Sequence, residues 1–206
     1  MTQVCLVGSA DVTLRYELLS RETAREALAT YDLRAPFRNS VAVETVSLGA
    51  AVALCNDLNW YLVRFVDDVL VRVPSVSEDE WLSRDLATAI RDDEVDPASS
   101  GRFLKVYGVQ RGSSEEQDVG GREGGGPEAH ETEQRPAGAT AEAPGEPADG
   151  AGEDEGGDGP PIDTEEAPGL VEPMYVTRTG QEIPTYDLRD VDETVLVRVT
   201  EAEFGA

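Results

Sequence analysis

The stretch Trp60-Tyr-Leu-Val-Arg-Phe-Val-Asp-Asp-Val-Leu-Val-Arg-Val73 decides the fold that the sequence predicts. Two runs rich in β-branched and aromatic residues, 60–66 and 69–73, flank the pair Asp67-Asp68. Such runs favour strands, and an acidic pair between them can form a tight turn, so we predict a β-hairpin. A continuous helix over residues 48–73 is the second interpretation, because it would also gather apolar side chains on one face.

Upstream of this hairpin, the sequence predicts a strand, a helix and a second strand. Residues 3–7 read as a short buried strand. We expect the first helix to begin after Ser20, a good N-cap, and to end before Pro36. Its apolar residues recur at three- and four-residue spacing: Ala24, Ala27, Leu28 and Tyr31. Residues 41–46 predict the second strand, and residues 48–58 a short apolar helix or turn.

Downstream, the clearest local signal is Ser77-Glu78-Asp79-Glu80, which matches the Ser-x-x-Glu capping box. It predicts a helix that runs to about Asp92. The buried stripe of this helix would consist of Leu82, Leu86, Ala89 and Ile90. Further strands are expected at 103–109, 174–177, 183–188 and 194–199, with a turn at Thr179-Gly180.

This order of elements predicts an α+β fold. We expect an antiparallel sheet with two main helices on one face, a ferredoxin-like variant with added C-terminal strands. The other face of the sheet would meet solvent or a partner.

Two five-residue segments recur in the same order. Thr30-Tyr-Asp-Leu-Arg34 returns as Thr185-Tyr-Asp-Leu-Arg189, and Val69-Leu-Val-Arg-Val73 returns as Val195-Leu-Val-Arg-Val199. Pseudo-symmetric strands lying side by side would explain this, and so would coincidence in a chain rich in Val, Asp and Arg.

Residues 112–169 differ in composition from the rest of the chain. They contain no Phe, Trp or Tyr, but 14 of the 20 glycines and 7 of the 12 prolines. So few apolar groups cannot offset a backbone ordering entropy of roughly 1 to 2 kcal/mol per residue, so we expect an acidic disordered insert. Residues 1–111 and 170–206 would then form one discontinuous α+β domain, which is large enough for one core.

The chain is strongly acidic, with a net charge of −25. Residues 112–169 carry 17 acidic and 2 basic residues, which is −15 of the −25. The rest of the chain keeps −10, so acidity is not confined to residues 112–169. This predicts a halophilic protein kept soluble in concentrated salt, where charges are screened within about 3 Å at 1 M. An ordinary acidic protein with an acidic tract is the alternative. The charge repels nucleic acid over long range in dilute salt, but it leaves a local basic surface possible.

No targeting or membrane-spanning signal is found in the sequence, so we expect a cytoplasmic protein that does not bind membranes. The longest stretch without a charged residue, 45–56, is too short to cross a bilayer. Cys5 and Cys55 are isolated thiols, which favours small buried hydrophobic residues in a reducing compartment over a disulfide.

The sequence lacks the residues that most kinds of catalytic site require. The single histidine, His130, falls in the segment expected to be disordered, so we expect no Ser-His-Asp, Cys-His or His-containing metal site. Glycine-rich phosphate motifs and the EF-hand spacing are absent from the sequence. We therefore expect no catalytic residue, no metal ligand and no cofactor, and we interpret pairs such as Asp67-Asp68 as solvated surface.

Positive charge within the predicted strands is the one pattern that suggests a binding site. It comprises Arg64, Arg72, Lys105, Arg178 and Arg198. Strand alternation would put Arg64 in phase with Trp60, and Lys105 in phase with Phe103 and Tyr107. A sheet face shared by cations and aromatics can stack bases or hold an anionic ligand. The plainer interpretation is solvent-facing or edge-strand charges that oppose aggregation.

Three segments resemble an uncharacterised family of haloarchaeal proteins. They are Tyr16-Glu-Leu-Leu-Ser-Arg-Glu-Thr-Ala-Arg25, Asn56-Asp-Leu-Asn-Trp-Tyr-Leu-Val-Arg-Phe-Val66 and Asp79-Glu-Trp-Leu-Ser-Arg84. The resemblance would cover the parts expected to fold and would skip the insert. It implies a high-salt cytoplasm, and it transfers no functional residue because that family has no assigned activity.

Three functional hypotheses follow. The leading one is a non-catalytic binding or regulatory module with the sheet as its recognition surface, for a partner that is either a protein or an anionic ligand. The second is an enzyme that uses carboxylates and arginine, with a divalent cation. The third is binding of RNA or another anionic ligand on a basic sheet face.

Overall fold

The computed structural model of the protein describes residues 1–111, 167–180 and 182–205. The insert predicted to be disordered lies outside the described residues except for its last three, and one of these, Gly169, already belongs to a strand. The described part contains seven strands and six α-helices. The strands are β1 (Thr2–Gly8), β2 (Ser40–Thr45), β3 (Val66–Arg72), β4 (Trp81–Ser83), β5 (Phe103–Gln110), β6 (Gly169–Thr177) and β7 (Glu193–Arg198). The helices are α1 (Leu14–Leu19), α2 (Glu22–Leu28), α3 (Leu48–Asp57), α4 (Asn59–Phe65), α5 (Arg84–Arg91) and α6 (Glu201–Phe204).

All seven strands form one sheet in the order β2-β1-β3-β4-β7-β5-β6. The β4–β7 pair is parallel, and the other neighbouring strands of this sheet are antiparallel. The amide of Arg38, just before β2, donates to the carbonyl of Pro168, just before β6, at 2.8 Å. Because β2 and β6 are the two edge strands, this bond shows that the sheet curls until its edges approach each other.

Strand alternation separates two apolar clusters on the two faces of the sheet. Val4 and Leu6 of β1 pack in the first cluster, to which all of α1 to α5 contribute. Cys5 and Leu70 pack in the second, together with Trp81, Tyr107 and Val197. The predicted mixed α+β class with an antiparallel-rich sheet is therefore confirmed.

The ferredoxin-like arrangement is not confirmed. β1 lies between β2 and β3, which are joined through α3 and α4, and this resembles a split β-α-β unit. The remaining order, β4-β7-β5-β6, places a strand that follows the insert inside the sheet. The five helices α1 to α5 replace the two main helices that the sequence predicted.

The hairpin predicted within residues 60–73 is wrong, because the first half of this stretch is the helix α4. Leu58 and Leu62 are buried in the helical cluster, and Phe65 packs against it, a spacing of four and three residues that suits a helix. Helical burial overrides the β propensity of Val63 and its neighbours. The second interpretation was partly right, since α3 and α4 follow each other, but the helical region ends at Phe65.

The helix start predicted from the capping box is also wrong. The Ser77 hydroxyl does accept a hydrogen bond from the Glu80 amide at 3.2 Å, but α5 begins only at Arg84. Residues Trp81–Ser83 are taken up by β4, which pairs with both β3 and β7. Ser83 is the actual N-cap, since its hydroxyl accepts from the Leu86 amide at 3.2 Å.

Three smaller differences concern the flanks of the sheet. Ser20 ends α1 instead of starting a helix, and α2 begins after Arg21. No strand forms over 183–188, where the Tyr186 hydroxyl instead donates to the Glu172 carbonyl at 2.6 Å. The repeated segments starting at Val69 and Val195 lie largely in β3 and β7, which are separated by β4 and so do not lie side by side.

Candidate functional site

The five cations predicted as a binding face do not lie on one face. Arg178 and Arg198 come together on Glu80, whereas Lys105 and Arg72 each have separate partners. Arg64 lies in α4, not in a strand. Each environment therefore has to be considered separately, and a ligand-binding role for the five residues stays a prediction.

Glu80 holds two arginines in a nearly buried cluster, which we call the Glu80 cluster (Glu80, Arg178 and Arg198). One carboxylate oxygen of Glu80 accepts from Arg178 and the other accepts from Arg198 Nε at 2.5 Å. Only 12% of the Glu80 side chain is exposed. Burial acts to raise the pKa of Glu80, but the hydrogen bonds from Arg178 and Arg198 outweigh it and hold this pKa below its usual value. Both guanidinium groups are thus committed to an internal carboxylate.

A second, nearly buried group surrounds Asp68, whose side chain is 15% exposed. The carboxylate accepts from Lys105 Nζ at 2.8 Å and from the Tyr107 hydroxyl at 2.6 Å. Lys105, the single lysine of the chain, also lies 5.0 Å from the centroid of the Tyr107 ring and 5.8 Å from that of Tyr175. Burial and the Asp68 charge raise the pKa of Tyr107, so its hydroxyl stays a donor. Asp68, which the sequence analysis placed in a solvated turn, is therefore a partner for an internal cation.

Arg72 is held on the surface of the sheet by two contacts. Its guanidinium lies 5.0 Å from the Trp81 ring centroid and donates to Gln3 Oε1 at 2.5 Å. This geometry joins neighbouring strands, since Gln3 belongs to β1 and Arg72 to β3.

Arg64 lies in a different environment, which we call the Trp60 patch (Arg21, Trp60, Val63, Arg64 and Phe65). The guanidinium carbon of Arg64 is 5.0 Å from the Trp60 ring centroid, and that of Arg21 is 5.6 Å from it. Trp60 is 52% exposed and Val63 is 77% exposed. Spacing of three and four residues along α4 puts Trp60, Val63 and Arg64 on one face of the helix. An apolar surface carrying positive charge is thus open to solvent.

Arg21 and Arg64 differ in their hydrogen bonding within this patch. Arg21 donates to Glu17 at 2.9 Å and lies over Phe65 at 5.1 Å. The Arg64 guanidinium makes no ion pair or hydrogen bond with any residue that the structure describes, so its donors remain open. Sequence reasoning found Arg64 and its neighbour Trp60, but it missed Arg21 and Val63. The helical spacing from Leu58 to Leu62 was the signal that could have revealed them.

Little in residues 1–111, 167–180 and 182–205 indicates a metal site, a membrane-spanning helix or a reactive cysteine. Within these ranges, no group of three or more His, Cys, Asp or Glu residues could hold a metal ion. No helix there has the length and apolar character needed to cross a membrane. Cys5 and Cys55 are free and buried, and burial raises the pKa of Cys5 to about 12 and that of Cys55 to about 11. Thiols with such values are poor nucleophiles at neutral pH.

Comparison with models of known protein families gives a match. A family model described as a family of unknown function, DUF5804, covers residues 2–109, which include β1 to β5 up to Val109. Searches of curated proteins and of solved structures returned no match. β6, β7 and α6 thus lie outside the matched region.

Proposed function

The chain belongs to the family DUF5804, whose function is unknown, and we propose from its own geometry that it is a non-catalytic binding module that contacts a protein partner through the Trp60 patch. One observation carries this proposal: a half-exposed tryptophan with two guanidinium groups beside it, one of which has open donors. Tryptophan and arginine are the residue types that most often dominate the binding energy of interfaces.

The stacking of Arg64 on Trp60 supports binding in two ways. It restricts a long side chain before the partner arrives, so less conformational entropy is lost on binding. It also leaves the in-plane N–H groups free to make two parallel hydrogen bonds with a carboxylate. Val63, exposed on the same face, would bury apolar area against the partner.

The partner that fits this chemistry is a protein surface with a carboxylate beside an apolar side chain. A chain of net charge −25 repels such a partner over long range in dilute salt. At molar salt the screening length falls to about 3 Å, so the repulsion is lost while the apolar contact and the stacked guanidinium remain. Binding should therefore strengthen as salt rises, in contrast to an ordinary charge-driven interface.

Several features predicted from the sequence belong to this proposal. A halophilic, cytoplasmic setting is supported by the acidity, and a haloarchaeal origin by the quoted segments. The single discontinuous domain, residues 1–111 and 170–206, is supported by the sheet that both parts share. The ferredoxin-like relation is supported by the split β-α-β unit around β1.

A peptide-binding measurement tests the proposed function. The probes are fluorescent peptides that alternate Glu and Leu, the same peptides with Lys for Glu, and a single-stranded RNA oligonucleotide, at 0.1 to 3 M KCl. We expect fluorescence anisotropy to show binding of the acidic peptide that rises with KCl and is lost in Trp60→Ala and Arg64→Gln. The matched control Arg189→Gln removes an exposed arginine paired with Glu172 and should bind normally.

Two outcomes would overturn the proposal. Equal binding by Arg64→Gln and the native protein would show that the patch is not the contact surface. Binding of the RNA oligonucleotide, with none of the acidic peptide, would favour the anionic-ligand hypothesis instead.

A further inference from the structure

The strand β7 fills a slot between two strands that do not pair with each other. It pairs with β4 through Trp81↔Val197 and Leu82↔Arg198, and with β5 over six residue pairs. The sheet order gives β5 no other neighbour than β7 and β6. Residues 2–109, which the family model matches, therefore build the two walls of the slot but not the strand inside it.

Side chains of β7 pack against apolar clusters on both faces of the sheet, and one of them, Val197, is buried while Leu196 is half-buried. Val197 is fully buried in the cluster that contains Cys5, Leu70 and Trp81. Leu196 points the other way and packs in a third cluster with Leu104 and Val106. The slot is thus apolar on both sides, and leaving it empty would expose core residues of the matched region.

Polar contacts fix the whole segment 167–205 to the rest of the chain. Arg178 and Arg198 come from this segment, whereas their carboxylate partner Glu80 comes from the other side of the slot. The Ser83 hydroxyl donates to Glu203 of α6 at 2.8 Å. All these contacts are non-covalent, so they are satisfied equally well by the same segment of another molecule.

We infer that the segment 167–205 is an exchangeable piece of the sheet that can enter the β4–β5 slot of a second copy of this chain, giving a strand-swapped dimer. The covalent connection is residues 112–166, which can span roughly 180 Å at about 3.3 Å per residue. Such a connection permits docking in the same molecule or in another one. A tethered segment has an effective concentration in the millimolar range, so the monomer prevails when dilute chains refold, and exchange requires refolding at high concentration.

A cysteine pair distinguishes exchange from ordinary side-by-side association. One population carries Ser83→Cys and the other carries Glu203→Cys, and both are unfolded together and refolded at millimolar concentration in 3 M KCl. Exchange places the two new thiols together across molecules, so we expect disulfide-linked dimers of about twice the 22.1 kDa chain. The chains are refolded with a reductant, and oxidised glutathione replaces the reductant only afterwards, when Cys5 and Cys55 are buried again and should not compete. A single chain with both substitutions is the control, and it should form the disulfide as a monomer.

A second variant keeps the inference testable if that disulfide fails to form. Replacing residues 111–168 by four glycines joins the antiparallel partners Gln110 and Gly169 through a short loop that permits pairing within one chain. The effective concentration of a tethered segment rises as its tether shortens, so this variant should stay a monomer by light scattering under the refolding conditions that give dimers of the native chain.

Three results would overturn the inference. They are co-refolded dimers without the intermolecular disulfide while the control forms its own, native chains that stay monomeric after refolding at millimolar concentration, and a four-glycine variant that dimerises as fully as the native chain. The last result counts against exchange because ordinary side-by-side association does not depend on the length of the connection between residues 110 and 169.

Discussion

The Glu80 cluster and the Trp60 patch use arginine in opposite ways. Arg198 is 12% exposed and bonded to a carboxylate, a carbonyl and a hydroxyl, whereas Arg64 is exposed and rests on an aromatic ring. The first arrangement stabilises the joint between β4 and β7, and the second leaves hydrogen-bond donors for another molecule. Both residues are arginines, so the residue type does not distinguish their roles. A structural arginine has a carboxylate of the same fold within reach of its guanidinium, and a candidate binding arginine does not.

Substitution of Glu80 should lower the free energy of unfolding more than the other substitutions described below. Glu80→Gln removes the charge that holds two nearly buried guanidinium groups, so we expect a loss of about 3 to 5 kcal/mol in unfolding free energy. Urea unfolding in 1 M KCl followed by circular dichroism measures it. Glu172→Gln is the matched control, because Glu172 pairs with Arg189 on the surface, and it should change stability by less than about 0.5 kcal/mol. Equal losses in both variants would mean that the Glu80 cluster is no more stabilising than a surface pair.

Lowering the pH should reduce the difference in stability between the native protein and Glu80→Gln. The pKa of Glu80 is lower in the folded protein than its usual value, so the unfolded chain takes up a proton more readily and protonation favours unfolding. The stabilisation is complete above the ordinary glutamate pKa of about 4.3, and it is lost as pH falls through the lower folded value. We expect the native protein to approach Glu80→Gln in stability as pH falls below about 4.3 and through the lower folded pKa of Glu80. A stability difference that is constant with pH would contradict this assignment.

Substitution of Asp68 should have a smaller effect. Asp68→Asn leaves the Lys105 ammonium without its anion but keeps one acceptor for Tyr107, so we expect a loss of about 2 kcal/mol. Chemical unfolding in 1 M KCl is again the measurement. Asp67→Asn is the adjacent control: Asp67 is exposed and accepts only from the Ser9 hydroxyl, at 2.6 Å, among the residues described, so a smaller loss is expected. A larger loss in the control would assign the stabilising role to the wrong carboxylate.

Substitution of Arg64 should affect stability least. An exposed contact between a guanidinium and an aromatic ring contributes about 0.5 to 1 kcal/mol, so Arg64→Gln should unfold within that range of the native protein. The same substitution is expected to abolish peptide binding. A loss above about 3 kcal/mol would place Arg64 among the structural arginines and remove the contrast with Arg198.

Much of the fold could be predicted because local pattern and tertiary burial agree there. Residues 3–7 and 103–109 lie in strands, and so do residues 41–46 except for Val46, which follows the end of β2. Leu86 and Ile90 are buried on one side of α5 as their spacing indicates. The apolar segment 48–58 contains a helix for the same reason. In these segments a single periodicity is present, so propensity and burial point to the same structure.

The prediction of secondary structure failed in segments that fit both helical and strand periodicity. It also failed where pairing with strands distant in sequence determines the local structure. Residues 60–65 contain three aromatic residues and one β-branched residue, which favour a strand, yet Leu58 and Leu62 bury one face of a helix. Trp81 follows the Ser-x-x-Glu motif of a capping box, but it lies in β4, which pairs with β3 and with β7, a strand distant in sequence. The candidate site was predicted in part for the same reason: Arg64 and Trp60 are neighbours at helical spacing as well as in strand alternation.

The parallel pairing of β4 with β7 also has a consequence for the order in which the chain acquires its structure during synthesis. At about 5 to 20 residues per second, Arg198 of β7 is added roughly 4 to 18 s after Gln110 of β5. For most of that interval β5 lacks both of its neighbours, because β6 and β7 both follow the insert and β6 is complete only at Thr177. The nascent protein thus exposes two apolar strand edges for seconds, long enough for a ribosome-associated chaperone or a neighbouring nascent chain to bind there first.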